Sequence, residues 1–270
     1  DGGDALEVWF FGGSTMFGEG QRDEHTIPSE IARIAADEGL TVRPVNFGHQ
    51  GWVLWQEMLK FEQEVAREGP PDLAIFYDGV NDYNLQVVYG GGQPLHDELA
   101  RCEASGQDGA VPLPAGSVGE SPSVWRTYRS TSLFDKLLDR AGSLALGRPA
   151  GATPSDPEDE RLGERFVEIV ADVSEAYGRS VERTQAVAAA AETPVRLFWQ
   201  PVRGQGPDYG ALARQVPDGV TDISDTFDDV TEPIFIDGGH TNEAGARIVA
   251  ERLFAEVATD LAAIAERRAP

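Results

Sequence analysis

A serine follows the first apolar segment of the chain, in the stretch VWFFGGSTMFG. Residues 8–11 form a continuous apolar run, which is typical of a strand buried on both faces of a parallel sheet. Gly12 and Gly13 end this run. Ser14 is therefore predicted to lie in a tight turn at the carboxyl edge of the sheet, where open α/β folds bind their ligands. We consider Ser14 a candidate nucleophile; the alternative is an ordinary glycine-serine turn.

A serine nucleophile needs a base and a group that orients the base. The chain has four histidines, His25, His49, His96 and His240. His240 lies in FIDGGHTNEAGARIVAERL, between the last predicted strand and the last predicted helix, and Asp237 precedes it by three residues. One loop can thus carry both a base and its orienting carboxylate. The alternatives are a capping or surface histidine, and an aspartate that is simply one of 46 acidic residues.

The elements that must position these residues alternate between strand and helix. This order predicts a parallel sheet with helices on both faces. Five strands are predicted in VWFF, TVRPVNFG, PDLAIFYDGVND, PVRLFWQP and GVTDISDTF. Helices are predicted in TIPSEIARIAADEGL, WVLWQEMLKFEQEVARE, residues 160–192 and TNEAGARIVAERLFAEVATDLAAIAER.

Polar and glycine residues follow several of these strands. Gly48 and Gly51 lie in NFGHQG after the second strand, and Asn81 lies in DGVND after the third. Because the ends of parallel strands share one edge, Gly51 and Asn81 are predicted to approach Ser14. Gln200, after the fourth strand, is predicted to face the same edge and to contact substrate or support the site; the alternative is a turn-closing amide.

Four short blocks occur in a characteristic order: GGST, NFGHQG, GVND and DGGH. In these blocks the chain resembles the SGNH (GDSL-type) hydrolases. The resemblance covers most of the chain and leaves residues 85–159 unmatched. It implies a three-layer α/β/α sandwich with a flavodoxin-like parallel sheet of about five strands. It also implies that Ser14 is the nucleophile, His240 the base and Asp237 the residue that orients the base.

The same resemblance implies an oxyanion hole. Its donors would be the backbone amides of Ser14 and Gly51 and the side-chain amide of Asn81. Gly48 is the competing candidate for the second donor, and Gly51 is preferred because it immediately precedes a helix, where free amides point outward. The first block departs from the usual Gly-Asp-Ser, because Gly13 stands where the aspartate is expected.

We predict a single domain over residues 1–270 with an irregular insertion or lid at about 85–159. This segment is rich in glycine and proline and too long for a simple connection. It is predicted to shape the substrate pocket, with Trp125 as a substrate-binding residue; the alternative is a surface excursion.

Composition limits the classes of partner. The formal net charge of −24 argues against nucleic acid or an anionic membrane surface as a partner. A single cysteine, Cys102, excludes an internal disulfide and a zinc site built on paired cysteines. The sequence contains none of HExxH, GxxxxGK[ST] or a GxGxxG after the first strand, so neither a metal nor an organic cofactor is expected.

These observations predict a serine esterase that acts on small O-acyl esters, such as those of an acylated glycan. Two alternatives are an O-acyltransferase that uses a sugar hydroxyl as acceptor, and a binding module without activity. The sequence begins at DGGD without a methionine. An extracytoplasmic location, with an N-terminal membrane anchor outside this chain, is the corresponding expectation.

Overall fold

The computed structural model describes residues 5–83, 157–203, 215–237 and 239–268, and within these it leaves out the side chains of 157–170. Five strands form one sheet in the order β2-β1-β3-β4-β5, and every neighbouring pair is parallel. The strands are β1 (Leu6–Gly12), β2 (Val42–Asn46), β3 (Leu73–Asp78), β4 (Val195–Trp199) and β5 (Val220–Asp222). This is the flavodoxin-like strand order, so the predicted fold class is confirmed.

Helices cover both faces of the sheet. They are α1 (Ser14–Phe17), α2 (Ile27–Asp37), α3 (Leu54–Glu68), α4 (Pro157–Ala190) and α5 (Glu243–Arg268). Helices α2 and α5 pack on one face, and α3 and α4 pack on the other. Helix α4 begins three residues before its predicted start at 160. The predicted insertion, including Trp125, lies outside the described residues apart from 157–159, which belong to α4.

Strand β1 lies inside the sheet between β2 and β3, and its side chains alternate between the two cores. Val8 and Phe10 pack with α2 and α5, whereas Trp9 and Phe11 pack with α3 and α4. All four side chains are buried, and burying a large apolar side chain contributes about 1.5–3 kcal/mol. Burial on both faces explains why this segment reads as an unbroken apolar run and not as an alternating one.

The segment after α1 contacts the loop and the first turn of the helix near the end of the chain. The Gln21 side-chain amide donates a hydrogen bond to the Thr241 carbonyl at 3.0 Å. The Arg22 guanidinium forms a two-pronged ion pair with Glu243 at 2.7 and 2.9 Å. These contacts hold the turn after β1 against the loop before α5. Across the described ranges, none of the helices is long and apolar enough to span a membrane.

Candidate active site

Ser14, His240 and Asp237 form a continuous hydrogen-bonded chain. Ser14 is the first residue of α1, directly after β1 and an extended Gly13. Its Oγ lies 2.6 Å from His240 Nε2, and His240 Nδ1 lies 2.6 Å from Asp237 Oδ2. Ser14 and His240 are buried. The structure thus brings together the three side chains that the sequence proposes as nucleophile, base and orienting carboxylate.

The turn before α5 fixes the Asp237 carboxylate. Asp237 Oδ1 accepts hydrogen bonds from the backbone amides of Gly239 at 2.9 Å and His240 at 2.7 Å. Aspartate commonly closes a turn in this way, by accepting from amides two or three residues ahead. With Oδ1 held by the backbone, Oδ2 faces the imidazole. The three-residue spacing from Asp237 to His240 is what makes both contacts possible.

The electrostatics of this pair suit a histidine base. Partial burial by itself would raise the pKa of Asp237, but the hydrogen bonds from His240 and Gly239 outweigh it and lower that pKa to about 2. Burial would lower the pKa of His240, but the hydrogen bond and charge of Asp237, together with the charge of Glu19, raise it above its ordinary value. The carboxylate therefore stays ionised and favours a proton on the imidazole.

Asn81 lies against the turn that carries Ser14. It is buried in the helical turn formed by residues 80–83, and its Nδ2 donates to the Trp52 carbonyl at 2.7 Å. A Cβ atom at Gly13 would lie only 2.4 Å from that Nδ2. A side chain at position 13 would therefore displace the Asn81 amide, which gives a physical reason for the glycine that replaces the expected aspartate.

The two candidate glycine donors differ in their surroundings. The Gly48 amide donates to Asn46 Oδ1 at 2.9 Å, so this donor is already used. Among the described residues, no group accepts a hydrogen bond from the Gly51 amide. Gly51 has φ 74°, a left-handed conformation that favours glycine. This geometry agrees with the preference for Gly51 over Gly48. The role of the Gly51 amide as an oxyanion donor stays a prediction.

Glu19 is a site residue that sequence reasoning missed. Its Oε2 lies 3.6 Å from His240 Nε2, the nitrogen that faces Ser14, and the Glu19 side chain is 43% exposed. The Gln50 side-chain amide donates to the same Oε2 at 3.1 Å. No spacing rule distinguishes Glu19 from the other acidic residues; its position depends on how the turn after α1 folds.

Three acidic side chains, Glu57, Asp78 and Asp82, are buried beneath the site, and sequence reasoning missed them too. Alternation along β3 points Asp78 towards α3, where Glu57 lies among the buried residues Leu54, Met58 and Phe61. A glutamate within such an apolar stripe is the signal that could have revealed this cluster.

These buried carboxyl groups favour their protonated forms. Burial, followed by the charge of Asp78, raises the pKa values of Glu57 and Asp82 well above the usual range. Burial also raises the pKa of Asp78 to about 7, although its hydrogen bond with Glu57 acts in the opposite direction. Within the described part of the chain, no N–H group donates to the carboxyl oxygens of Glu57 or Asp78. A hydrogen bond between the two therefore requires a proton on one of them.

We expect Asp78→Asn to change the pH dependence of stability. A raised carboxyl pKa means that the native state holds a proton that the unfolded state releases, so the free energy of unfolding falls as the pH rises from about 4 to 7. Asparagine does not titrate, so the free energy of unfolding of the variant should not fall for this reason. The melting temperature of the variant minus that of the wild type should therefore be roughly 5 °C larger at pH 8 than at pH 5. Asp228→Asn, at an exposed position, is the control. If the difference in melting temperature between Asp78→Asn and the wild type is the same at both pH values, the raised pKa of Asp78 is contradicted.

The other predicted site residues are placed as follows. Gln200 follows β4 at the same edge of the sheet; its side chain is buried, and its backbone amide donates to the Asp78 carbonyl at 2.8 Å. Its role as a substrate-binding residue stays a prediction, as does that of Trp125. In the described ranges, no three His, Cys, Asp or Glu side chains are arranged to hold a metal ion.

No family model matches the chain, and a search of curated proteins finds no match. Solved structures do match. The lipase Lip_vut3 from a goat rumen metagenome aligns over 93% of this chain and 97% of its own, with 14% identity and a TM-score of 0.51. A two-domain esterase active on acetylated mannans aligns over 97% of this chain with 14% identity and a TM-score of 0.44, and this chain spans 50% of that protein. A G-D-S-L family protein from Desulfitobacterium hafniense aligns over 92% and 97% of the two chains, with 12% identity and a TM-score of 0.47. The chain therefore shares the fold of the rumen lipase, an α/β sandwich built on a parallel sheet.

Proposed function

We propose that this protein is a serine esterase that hydrolyses carboxylic O-acyl esters. The observation that carries the proposal is the hydrogen-bonded chain from Ser14 Oγ through the His240 imidazole to the Asp237 carboxylate, with 2.6 Å at each contact. A hydroxyl this close to an imidazole nitrogen can pass its proton to that nitrogen as it attacks a carbonyl carbon. The aspartate holds the tautomer in which Nε2 is free to accept the proton.

The reaction proceeds in two halves. Ser14 Oγ bonds to the acyl carbon while His240 Nε2 takes the hydroxyl proton. The bond to the alcohol oxygen then breaks, and Nε2 returns the proton to that oxygen. In the second half, water gives a proton to Nε2 and attacks the acyl carbon. The bond from that carbon to Ser14 Oγ then breaks, and Nε2 returns the proton to Oγ, which releases the acid and regenerates the serine hydroxyl. Asp237 remains ionised throughout and stabilises the imidazolium.

The negative charge that develops on the carbonyl oxygen needs donors already in place. We assign this role to the backbone amides of Ser14 and Gly51 and to the side-chain amide of Asn81. The Trp52 carbonyl fixes the orientation of the Asn81 amide, whose nitrogen is a hydrogen-bond donor.

O-acylated glycans are the substrate class that we propose. Among these, glycans of neutral sugars are favoured, because the net charge of −24 would repel an anionic substrate. The proposal is tested with p-nitrophenyl acetate and acetylated oligosaccharides in the absence of any acceptor. Release of acid supports a hydrolase. Turnover that requires an added sugar hydroxyl would show the acyltransferase, and no turnover across a panel of acyl chain lengths would leave a binding module.

Asn81→Ala should lower kcat by about 10²–10³-fold with little change in KM, because it removes a donor that acts on the transition state. Asn81→Asp should be at least as harmful, since an ionised carboxylate offers no donor and repels the oxyanion. Steady-state kinetics on p-nitrophenyl acetate, with melting curves as the folding check, measure both effects. A rise in KM at unchanged kcat would instead indicate that Asn81 only supports the Trp52 segment.

Alanine variants of Gly48 and Gly51 would not show which of the two backbone amides is the donor. A Cβ atom at Gly48 would lie 2.4 Å from the Phe17 backbone nitrogen. Alanine at Gly51 would be strained because φ is 74° there. Either change would disturb the fold of the loop as well as any donor in it.

A further inference from the structure

Glu19 places a negative charge beside the reacting groups. Its Oε2 is 3.6 Å from His240 Nε2, and Gln50 holds that oxygen with a 3.1 Å hydrogen bond. Among the described residues, no lysine or arginine forms an ion pair with it. The Glu19 carboxylate is therefore held in place and is partly exposed. Within the described ranges, no lysine or arginine neutralises its charge.

The geometry of acyl transfer brings the alcohol part of the substrate to this charge. His240 Nε2 must come within about 2.6–3.2 Å of the leaving oxygen to return the proton. Glu19 Oε2 is 3.6 Å from that same nitrogen. The leaving oxygen therefore lies no more than about 7 Å from Glu19 Oε2. A charged group carried on the alcohol a few bonds from that oxygen is within range of the carboxylate.

We propose that Glu19 is a specificity-determining residue that selects the charge of the alcohol, favouring a cationic alcohol over a neutral one of the same shape and excluding an anionic one. The inference rests on the proposed esterase function. Two unit charges about 5 Å apart in a partly hydrated site interact enough to change kcat/KM roughly 3- to 20-fold per charge step. The interaction is partly screened, because the carboxylate is accessible to solvent.

Three acetyl esters whose alcohols have similar shapes test this inference. Acetylcholine carries a cation, 3,3-dimethylbutyl acetate is its neutral isostere, and 2-acetoxyethanesulfonate carries an anion. Acid release in a pH-stat gives kcat/KM for each. We expect the wild-type protein to rank them cation, neutral, anion, with the cation-to-neutral ratio falling as KCl is raised.

The variants make the test specific to one side chain. Glu19→Gln should lower the cation-to-neutral ratio roughly 3- to 20-fold and weaken its dependence on salt, and Glu19→Lys should lower the ratio further. Glu62→Gln, on the exposed side of α3, removes the same charge at a distance and should preserve the wild-type ratio.

Two outcomes would overturn the inference and are distinguishable. If wild-type protein hydrolyses p-nitrophenyl acetate but ranks the three esters equally, or if Glu19→Gln and Glu19→Lys keep the wild-type cation-to-neutral ratio, Glu19 does not select charge and the esterase proposal stands. If neither p-nitrophenyl acetate nor any of the three esters is turned over, the esterase proposal fails and this inference fails with it.

Discussion

Ser14→Ala is expected to lower kcat by on the order of 10⁴–10⁶-fold, the largest single effect that we predict. The variant keeps the backbone amide at position 14 but has no oxygen to bond to the acyl carbon. Because the change removes only the hydroxyl group and leaves no large cavity, the melting temperature should change little. Hydrolysis of p-nitrophenyl acetate measures the loss.

Covalent labelling gives an independent test of the same residue. A fluorophosphonate probe should modify the wild-type protein at Ser14 alone, as located by peptide mass spectrometry, and should leave Ser14→Ala unmodified. Ser29→Ala, which removes a serine hydroxyl in the first turn of α2, should be labelled like the wild type. Labelling at another serine, or normal turnover by Ser14→Ala, would refute the assignment of the nucleophile.

His240→Ala should cost nearly as much as the loss of Ser14, because members of such a chain act as a unit. Without the imidazole, no group accepts the serine proton or returns a proton to the leaving oxygen. In the wild type, kcat/KM should rise with pH as the imidazole loses its proton, with an apparent pKa above the ordinary value of about 6.5, since Asp237 and Glu19 favour the charged ring.

His49→Ala is the matched control for the base. His49 is exposed, and its ring stacks on Trp52 at a centroid distance of 4.5 Å. Its backbone amide donates to the Gly12 carbonyl, a contact that alanine retains. This variant should keep activity within about tenfold of the wild type and the same rise with pH. Near-normal activity of His240→Ala would exclude it as the base.

Much of the fold could be predicted from local patterns. The unbroken apolar run of β1 indicates a strand with both faces covered, and this strand lies inside the sheet between β2 and β3, with a core on each face. The alternation of strands and helices predicts the parallel order. The close pairing of Asp237 and His240 was predictable because both lie on one short loop, where the spacing itself limits the geometry.

Contacts between distant segments could not be predicted in the same way. Glu19 approaches His240 only because Gln21 and Arg22 hold the turn after α1 against Thr241 and Glu243. Similarly, the closeness of Gly13 to Asn81 depends on the packing of two separate strand ends. No single stretch of sequence carries the information for either contact.

The distance along the chain between Ser14 and His240, 226 residues, has a consequence for folding kinetics. The nucleophile lies after the first strand, and the base lies before the last described helix, α5, which packs on α2 and β1. Contacts of such long range form slowly, because the chain must lose much loop entropy before they are made. A folding intermediate in which α5 has not docked would hold Ser14 without its base. Recovery of esterase activity during refolding would then report the docking of α5, and it would lag behind the recovery of helical circular dichroism.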